Sequence, residues 1–193
     1  MPSPLESLIA VSIGIGLAAA TGLRVFAPLL VAGLAARWGL LPLADGFAWL
    51  SSTGALVTLG TASVLEVAAY YIPGVDHALD VLASPAAMIA GVIASASVMA
   101  DIPPAILWPV AIIGGGGVAG LTKASSAVVR AKAGITTVGL ANPVVATCET
   151  AGAVGVAIAA IVIPLACLLV VMGVVLWLAR RALRFMSRSP AAS

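Results

Sequence analysis

Charged residues are scarce in this chain. Asp, Glu, Lys and Arg make up 8% of its 193 residues, whereas soluble domains carry roughly 25%. The single histidine and the two cysteines have no metal-ligand spacing, and Cys148 and Cys167 both fall in apolar runs. The sequence also contains no nucleophile elbow and no phosphate loop. These shortages argue against an enzyme, a cofactor, a metal site and a nucleic-acid-binding protein.

Long apolar runs dominate what is present. Hydrophobic residues make up 62% of the chain, and the mean hydropathy is +1.21. The runs are continuous and lack the alternation of barrel strands, which predicts an all-α membrane protein. The first run has no basic residues before it, so we interpret it as a retained span and not as a signal peptide. About six segments approach the length that a bilayer requires: 5–22, 53–73, 85–100, 105–121, 143–161 and 164–179.

Two apolar stretches are too short to cross a bilayer. They cover residues 25–36 and 124–133, directly after the first and fourth spans. Each is consistent with an interfacial helix, a re-entrant segment or the continuation of a long tilted helix.

Basic residues predict the orientation. They cluster behind the last span, at Arg180, Arg181, Arg184 and Arg188, which indicates a cytoplasmic C-terminus. Six spans then place the N-terminus inside as well, and Arg37 alone falls outside. Membrane lipids are the expected partners.

The two halves of the chain share features. The first span ends in GLR at 22–24 and the fourth in GLTK at 120–123, while the second and fifth spans carry one acid each, Glu66 and Glu149. Three spans per half would insert the second half upside down, which is the pattern of an inverted repeat. The predicted divisions are 1–103 for the first half, 104–183 for the second and 184–193 for a polar cytoplasmic tail.

Arg24 is the most costly residue in the first apolar region, because a charge at the centre of a membrane helix costs at least ~2.5 kcal/mol. Gly22 before it permits a close approach, and Pro28 after it removes a backbone donor. One interpretation is a broken helix with a cation at the break. The alternative is that the span ends at Gly22 and Arg24 snorkels to the outer interface.

Glu66 lies within the second apolar span, where a lone carboxylate is protonated or paired. It is either the ion-pair partner of Arg24 or Lys123, or a coupling group for a proton or cation. Glu149 lies closer to a helix start, with Asn142 as the expected N-cap, so a structural role is favoured for it.

Lys123 and Arg130 are seven residues apart and share one helix face, with Ser125 and Ser126 close by. This face suits a phosphate or a carboxylate, and it equally suits a basic rim on anionic lipid. The candidate substrate-binding residues are therefore Arg24, Lys123, Arg130 and Asn142.

Four consecutive glycines occur inside the fourth span. They lower helix propensity and so mark either an unwound segment or a surface for close helix packing. The expected helix breaks are thus Gly22, Pro28, Gly114, Gly115, Gly116 and Gly117.

The sequence resembles a bacterial integral membrane family known as domain of unknown function 4126, over residues 9–171. Its pattern often has an acid after the second glutamate, where this chain has Thr150. The resemblance implies the helical membrane fold, the residue set and a location in the bacterial inner membrane, but no activity. Its landmarks here are Gly22-Leu23-Arg24, Pro28, Phe47-Ala48-Trp49-Leu50, Glu66, Ile72-Pro73-Gly74-Val75-Asp76, Pro85, Gly91, Lys123, Arg130, Ala141-Asn142-Pro143 and Glu149.

The charges within the spans lead to an expected function. Arg24, Lys123 and Arg130 suit an anionic solute or lipid headgroup, with Glu66 and Glu149 as coupling groups or counter-charges. We therefore expect a small secondary transporter or a lipid translocator. A non-transporting scaffold or assembly subunit remains an alternative, as does an oligomeric channel, for which a second copy of the chain is a partner.

Overall fold

The computed structural model describes residues 3–72, 75–137 and 142–186, and it gives only the backbone of 75–81, 135–137, 179 and 182–186. Every regular element in these residues is helical, which confirms the all-α prediction for them. The predicted tail 184–193 lies outside the described residues, apart from the backbone of 184–186. The elements are α1 (Pro4–Thr21), α2 (Phe26–Arg37), a 3₁₀ segment (Asp45–Ser51), α3 (Thr53–Ala69), α4 (Val75–Ser97), α5 (Pro104–Pro109), a π-helical segment (Val110–Gly116), α6 (Gly117–Thr137), α7 (Asn142–Val162) and α8 (Pro164–Met186).

Three helical stretches are both long and apolar enough to cross a bilayer: Pro4–Thr21, Pro104–Gly134 and Asn142–Val162. The 3₁₀ segment and α3 reach the criterion together, although they meet at a bend of 65°. Leu82–Ser97 and Pro164–Leu178 are shorter apolar helices. The described residues therefore contain three to four candidate spans by length and composition.

The first helix begins and ends at local signals. The Ser3 hydroxyl accepts the Glu6 amide, and the Glu6 carboxylate accepts the Ser3 amide, which together form a capping box. The helix ends before Gly22, and α2 begins at Phe26 after a short turn. Residues 25–36 are therefore a separate helix, apart from the capping residue Val25. Pro28 lies in the first turn of α2, where its missing N–H is tolerated, so it does not break a helix.

The four glycines do not interrupt their helix. Gly114, Gly115 and Gly116 lie in the π-helical segment, and Gly117 begins α6. The expected break at these positions is corrected to a locally wider turn. A Cβ on Gly115 would lie 2.7 Å from the carbonyl oxygen of Gly91 on α4, so close packing explains this glycine.

The stretch 124–133 is the continuation of a long helix. It lies wholly within α6 and follows the π-helical segment without a break. Of the three interpretations of this stretch, the structure supports continuation of the fourth apolar segment.

Helix α4 runs antiparallel to α1. A Cβ on Gly14 would contact Ser95 near the end of α4, while the Thr21 hydroxyl lies 3.4 Å from the carbonyl oxygen of Ala87, further back along α4. Helix α7 also runs antiparallel to α1, because Gly16 faces Ala160 whereas Leu23, just after α1, meets Gly152 nearer the start of α7.

Helix α6, with the π-helical segment before it, runs parallel to α1. The side chain of Ile15 meets Gly114, and seven residues later Gly22 meets the carbonyl oxygen of Ala119. The helices that begin the two predicted halves therefore point in the same direction.

A cavity of about 380 Å³ marks one end of the bundle, which we call the cavity end. Its lining comes from the start of α1, the loop after α2, the turn after α4 and the turn between α7 and α8. The Ala44 amide also bonds to the Ser97 carbonyl there, at 2.8 Å. Since α1 starts and α2 finishes at this end, the two helices form a hairpin whose tip is the turn 22–25.

Candidate functional site

Five charged residues from four elements come together at the tip of this hairpin. We call Arg24, Glu66, Lys123, Arg130 and Glu149, together with Tyr70, the buried cluster. Each of its charged side chains is buried, and Arg24 is only 1% exposed. Charges so far from solvent remain ionised only when other charges or hydrogen bonds stabilise them. The sequence prediction named all five of these charged residues.

Tyr70 forms the centre of the buried cluster. The guanidinium carbons of Arg24 and Arg130 lie 4.1 and 4.2 Å from its ring centroid. Lys123 Nζ donates to the Tyr70 hydroxyl at 3.0 Å. Cation–π contacts within about 6 Å are favourable, and more so when water is excluded. One aromatic ring therefore fixes the positions of three cations.

Glu149 is the counter-charge of the arginines. Its Oε2 pairs with Arg130 Nη2 and lies 3.7 Å from Arg24 Nη2. Its Oε1 accepts a hydrogen bond from Ser126 on α6. Ser125 instead donates to the carbonyl oxygen of Leu121 in its own helix. A single carboxylate oxygen is thus shared between two guanidinium groups.

Helix α7 also holds Arg24, through one backbone carbonyl and one side-chain hydroxyl. Arg24 Nη2 donates to the Ala146 carbonyl oxygen at 2.8 Å, and Nε donates to Thr150 Oγ1 at 2.9 Å. The snorkelling alternative is therefore wrong, because the guanidinium is enclosed by protein. The same contacts give Thr150 a partner role at the position where the family pattern often has an acid.

Glu66 has a different role from the one expected. Its Oε1 accepts the amide of Val25 at 2.9 Å, and its Oε2 accepts that of Phe26 at 3.2 Å. Among the described residues, it forms no ion pair with Arg24 or Lys123, which corrects that prediction. The carboxylate instead satisfies two amides at the start of α2, where the helix dipole favours a negative charge.

Gly22 brings the hairpin tip against α6. A Cβ at this position would lie 2.5 Å from the Ala119 carbonyl oxygen and 2.5 Å from Thr122 Cβ. Lys123 follows Thr122, so the absent side chain lets the turn that carries Arg24 lie against the Lys123 segment.

Asn142 is the first residue of α7, two turns before Glu149, and it is half-buried. Lys132, two residues after Arg130, is exposed. The assignment of Asn142 to substrate binding stays a prediction.

Sequence reasoning missed Tyr70, which is the centre of the cluster. One signal was available, because Tyr70 follows Glu66 by four residues and so lies on the same helix face. A tyrosine one turn from an acid in an apolar helix is a candidate partner for cations brought in by other helices.

Chemically, the cluster places two guanidinium groups and one ammonium group around the Tyr70 ring and the carboxylate of Glu149. The described residues contain no group of three or more His, Cys, Asp or Glu side chains that suits a metal ion. Arginine forks bind carboxylate and phosphate groups with well-defined geometry. The arrangement is therefore suited to holding an oxyanion.

A family model described as Domain of unknown function (DUF4126) matches residues 11–184 of the chain. No curated protein and no solved structure matches it.

Proposed function

Since the chain belongs to DUF4126, whose function is unknown, we propose a function from the buried cluster: a small secondary transporter, or a lipid translocator, for an anionic solute or headgroup. The proposal assigns Arg24, Lys123 and Arg130 to the anion. Glu149 is the internal counter-charge that the anion replaces.

The shared oxygen of Glu149 is the observation that carries this proposal. It lies against guanidinium groups from α1–α2 and from α6, where a ligand oxyanion would make the same contacts. Exchange between an internal carboxylate and an external anion keeps the cations paired throughout the cycle. This matters because an unpaired buried charge is costly.

Helix lengths support a location of the cluster inside the bilayer. Phe26 is about 17 Å along α2 from the end of that helix, and Glu149 is about 20 Å along α7 from Val162, at 1.5 Å per residue. Trp38 and Trp49 at the cavity end are 70% and 51% exposed, as expected of interfacial aromatics. A hydrocarbon core is about 30 Å thick, so the cluster would lie well within it.

The architecture we propose differs from the expected inverted repeat. Inverted halves require the first and fourth spans to run in opposite directions, whereas α1 and α6 are parallel. We propose instead a re-entrant hairpin, α1–α2, followed by five crossing helices: α3, α4, α5–α6, α7 and α8. Because five crossings are an odd number, the two termini would lie on opposite sides of the membrane.

The topology has a direct test. Exposed Arg180 and Arg181 after the last crossing favour a cytoplasmic C-terminus, so the N-terminus would be external. We expect Ser3→Cys, but not Arg181→Cys, to react with a membrane-impermeant maleimide on intact spheroplasts, in a chain whose Cys148 and Cys167 are replaced. If neither cysteine reacts with the maleimide until the spheroplasts are lysed, both termini are cytoplasmic, as the basic residues of the sequence predicted.

The functional test compares Arg24→Gln with Arg37→Gln. Arg37 is exposed and bonds to Ser51 and Thr53, away from the cluster, so it is a matched control. In native mass spectra from mild detergent, we expect wild type and Arg37→Gln to retain a phosphate-bearing lipid or metabolite that Arg24→Gln loses. Equal spectra for all three proteins would contradict the proposed site.

Flux then separates the two kinds of substrate. In proteoliposomes, radiolabelled phosphate measures solute transport, and dithionite quenching of a fluorescent phosphatidylglycerol measures lipid translocation. Transport of either phosphate or the lipid by wild type, and its loss in Arg24→Gln, identifies the class of substrate. Retained binding without movement in either arm favours the scaffold alternative. Unfolding of Arg24→Gln that Glu149→Gln reverses would indicate a purely structural ion pair.

A further inference from the structure

The cavity of about 380 Å³ is separate from the buried cluster. Its lining includes Glu6 on α1, and Thr21, where α1 ends before Arg24, lies 15 residues further along the helix, about 22 Å at 1.5 Å per residue. Ligand sites in proteins are concave and typically occupy about 300–1,000 Å³. The cavity falls in this range and lies at the opposite end of α1.

The lining has an unusual distribution of charge. Two exposed acidic residues, Glu6 and Asp101, and Ser7 line it, together with aliphatic residues such as Ile13, Leu41 and Ile161. No Lys, Arg or His is among the described residues that line the cavity. The cavity therefore combines a negative rim with an apolar interior.

The two carboxylates are differently held. One oxygen of Glu6 accepts the Ser3 amide at 2.7 Å, so the capping box fixes this side chain at the start of α1. Asp101 makes no side-chain hydrogen bond or ion pair with the described residues, and it lies in the turn between α4 and α5. The carboxylate of Glu6 is therefore held in position by its own helix, and the carboxylate of Asp101 is available to a ligand.

The cavity also lies beside residues suited to the membrane surface. Leu40 lines it, and both Leu40 and the neighbouring Trp38 are largely exposed. Such residues favour the boundary between headgroups and acyl chains. A ligand at this depth meets water at the carboxylates and hydrocarbon at the aliphatic residues.

We propose that this cavity binds an amphiphile with a single ammonium head and a short aliphatic tail. The head would lie against Glu6 and Asp101, and the tail would contact Ile13, Leu41 and Ile161. Charge complementarity selects a cation, and the apolar interior selects the tail. The site is independent of the proposed anion function.

Equilibrium dialysis of octyltrimethylammonium against the full chain in phosphatidylcholine nanodiscs tests the site, with empty nanodiscs as the measure of partitioning. We expect saturable binding that weakens about tenfold in Glu6→Gln/Asp101→Asn. The charge-conserving variant Asp101→Glu should retain binding. Both replaced carboxylates are exposed at the rim, and glutamine also serves in a capping box, so the double variant is expected to fold.

Two results would overturn the proposal. One is equal binding by wild type and the double variant. The other is equally tight binding of octyl sulfate, which would indicate an apolar crevice that accepts any tail. Octyltrimethylammonium should still bind to Arg24→Gln. A result against the anion site at the buried cluster can therefore be distinguished from a result against the ammonium site in this cavity.

Discussion

Glu149→Gln is expected to lower the free energy of unfolding by about 3 kcal/mol. The substitution keeps the size of the side chain but removes the charge that Arg130 and Arg24 share. Breaking a buried ion pair on one side leaves the other charges poorly compensated. Thermal and denaturant unfolding in detergent measure the loss, and Glu6→Gln at the exposed start of α1 is the matched control. Equal stability of the two variants would contradict the assignment of Glu149 as counter-charge.

The same variant connects stability with function. If the cluster binds oxyanions, inorganic phosphate should replace the lost carboxylate and restore part of the stability of Glu149→Gln, because a ligand that binds only the folded state stabilises it. Chloride at equal ionic strength controls for screening. A loss of stability that phosphate does not reverse would favour internal pairing without an anion site.

Gly22→Ala is expected to have the second large effect, a loss of about 1–3 kcal/mol in the free energy of unfolding. The new Cβ would lie 2.5 Å from the Ala119 carbonyl oxygen, and a backbone atom within a long helix cannot easily move away. Displacement of the turn would also shift Arg24 from Tyr70. Unfolding measurements and native mass spectra should therefore change together.

Gly155→Ala is the control for this substitution. Gly155 lies inside α7, and its ideal Cβ meets nothing within 4 Å. Because alanine is the better helix former, this variant should gain about 0.5–1 kcal/mol. Equal behaviour of the two variants would contradict the close approach at Gly22.

Much of the local structure could be predicted from the sequence. The limits of α1, α3 and α7 lie close to the predicted 5–22, 53–73 and 143–161, because apolar length, proline and capping residues are local signals. The glycine run was harder to interpret. Low helix propensity suggested a break, whereas packing against α4 keeps the backbone helical.

The candidate site was predictable in its residues but not in its connections. Ionisable side chains in apolar runs are conspicuous, so all five charged members of the cluster could be named in advance. Their partners could not, because Glu66 bonds to backbone amides at the start of α2, and such amides carry no sequence signature. Tyr70 was missed because the cations that meet its ring come from the turn after α1 and from α6, and only its spacing from Glu66 along the chain points to it.

The sequence by itself determined that the described chain is helical and apolar, and which few residues carry charge into those helices. Composition and local periodicity are enough for this, since they depend on neighbours along the chain. Only the tertiary structure decided that α1 and α6 are parallel and that α1 and α2 form a hairpin. It also decided that three cations share one ring and one carboxylate. These features depend on which surfaces pack closely, as at Gly22 and Gly115, and that depends on contacts between residues far apart in the chain.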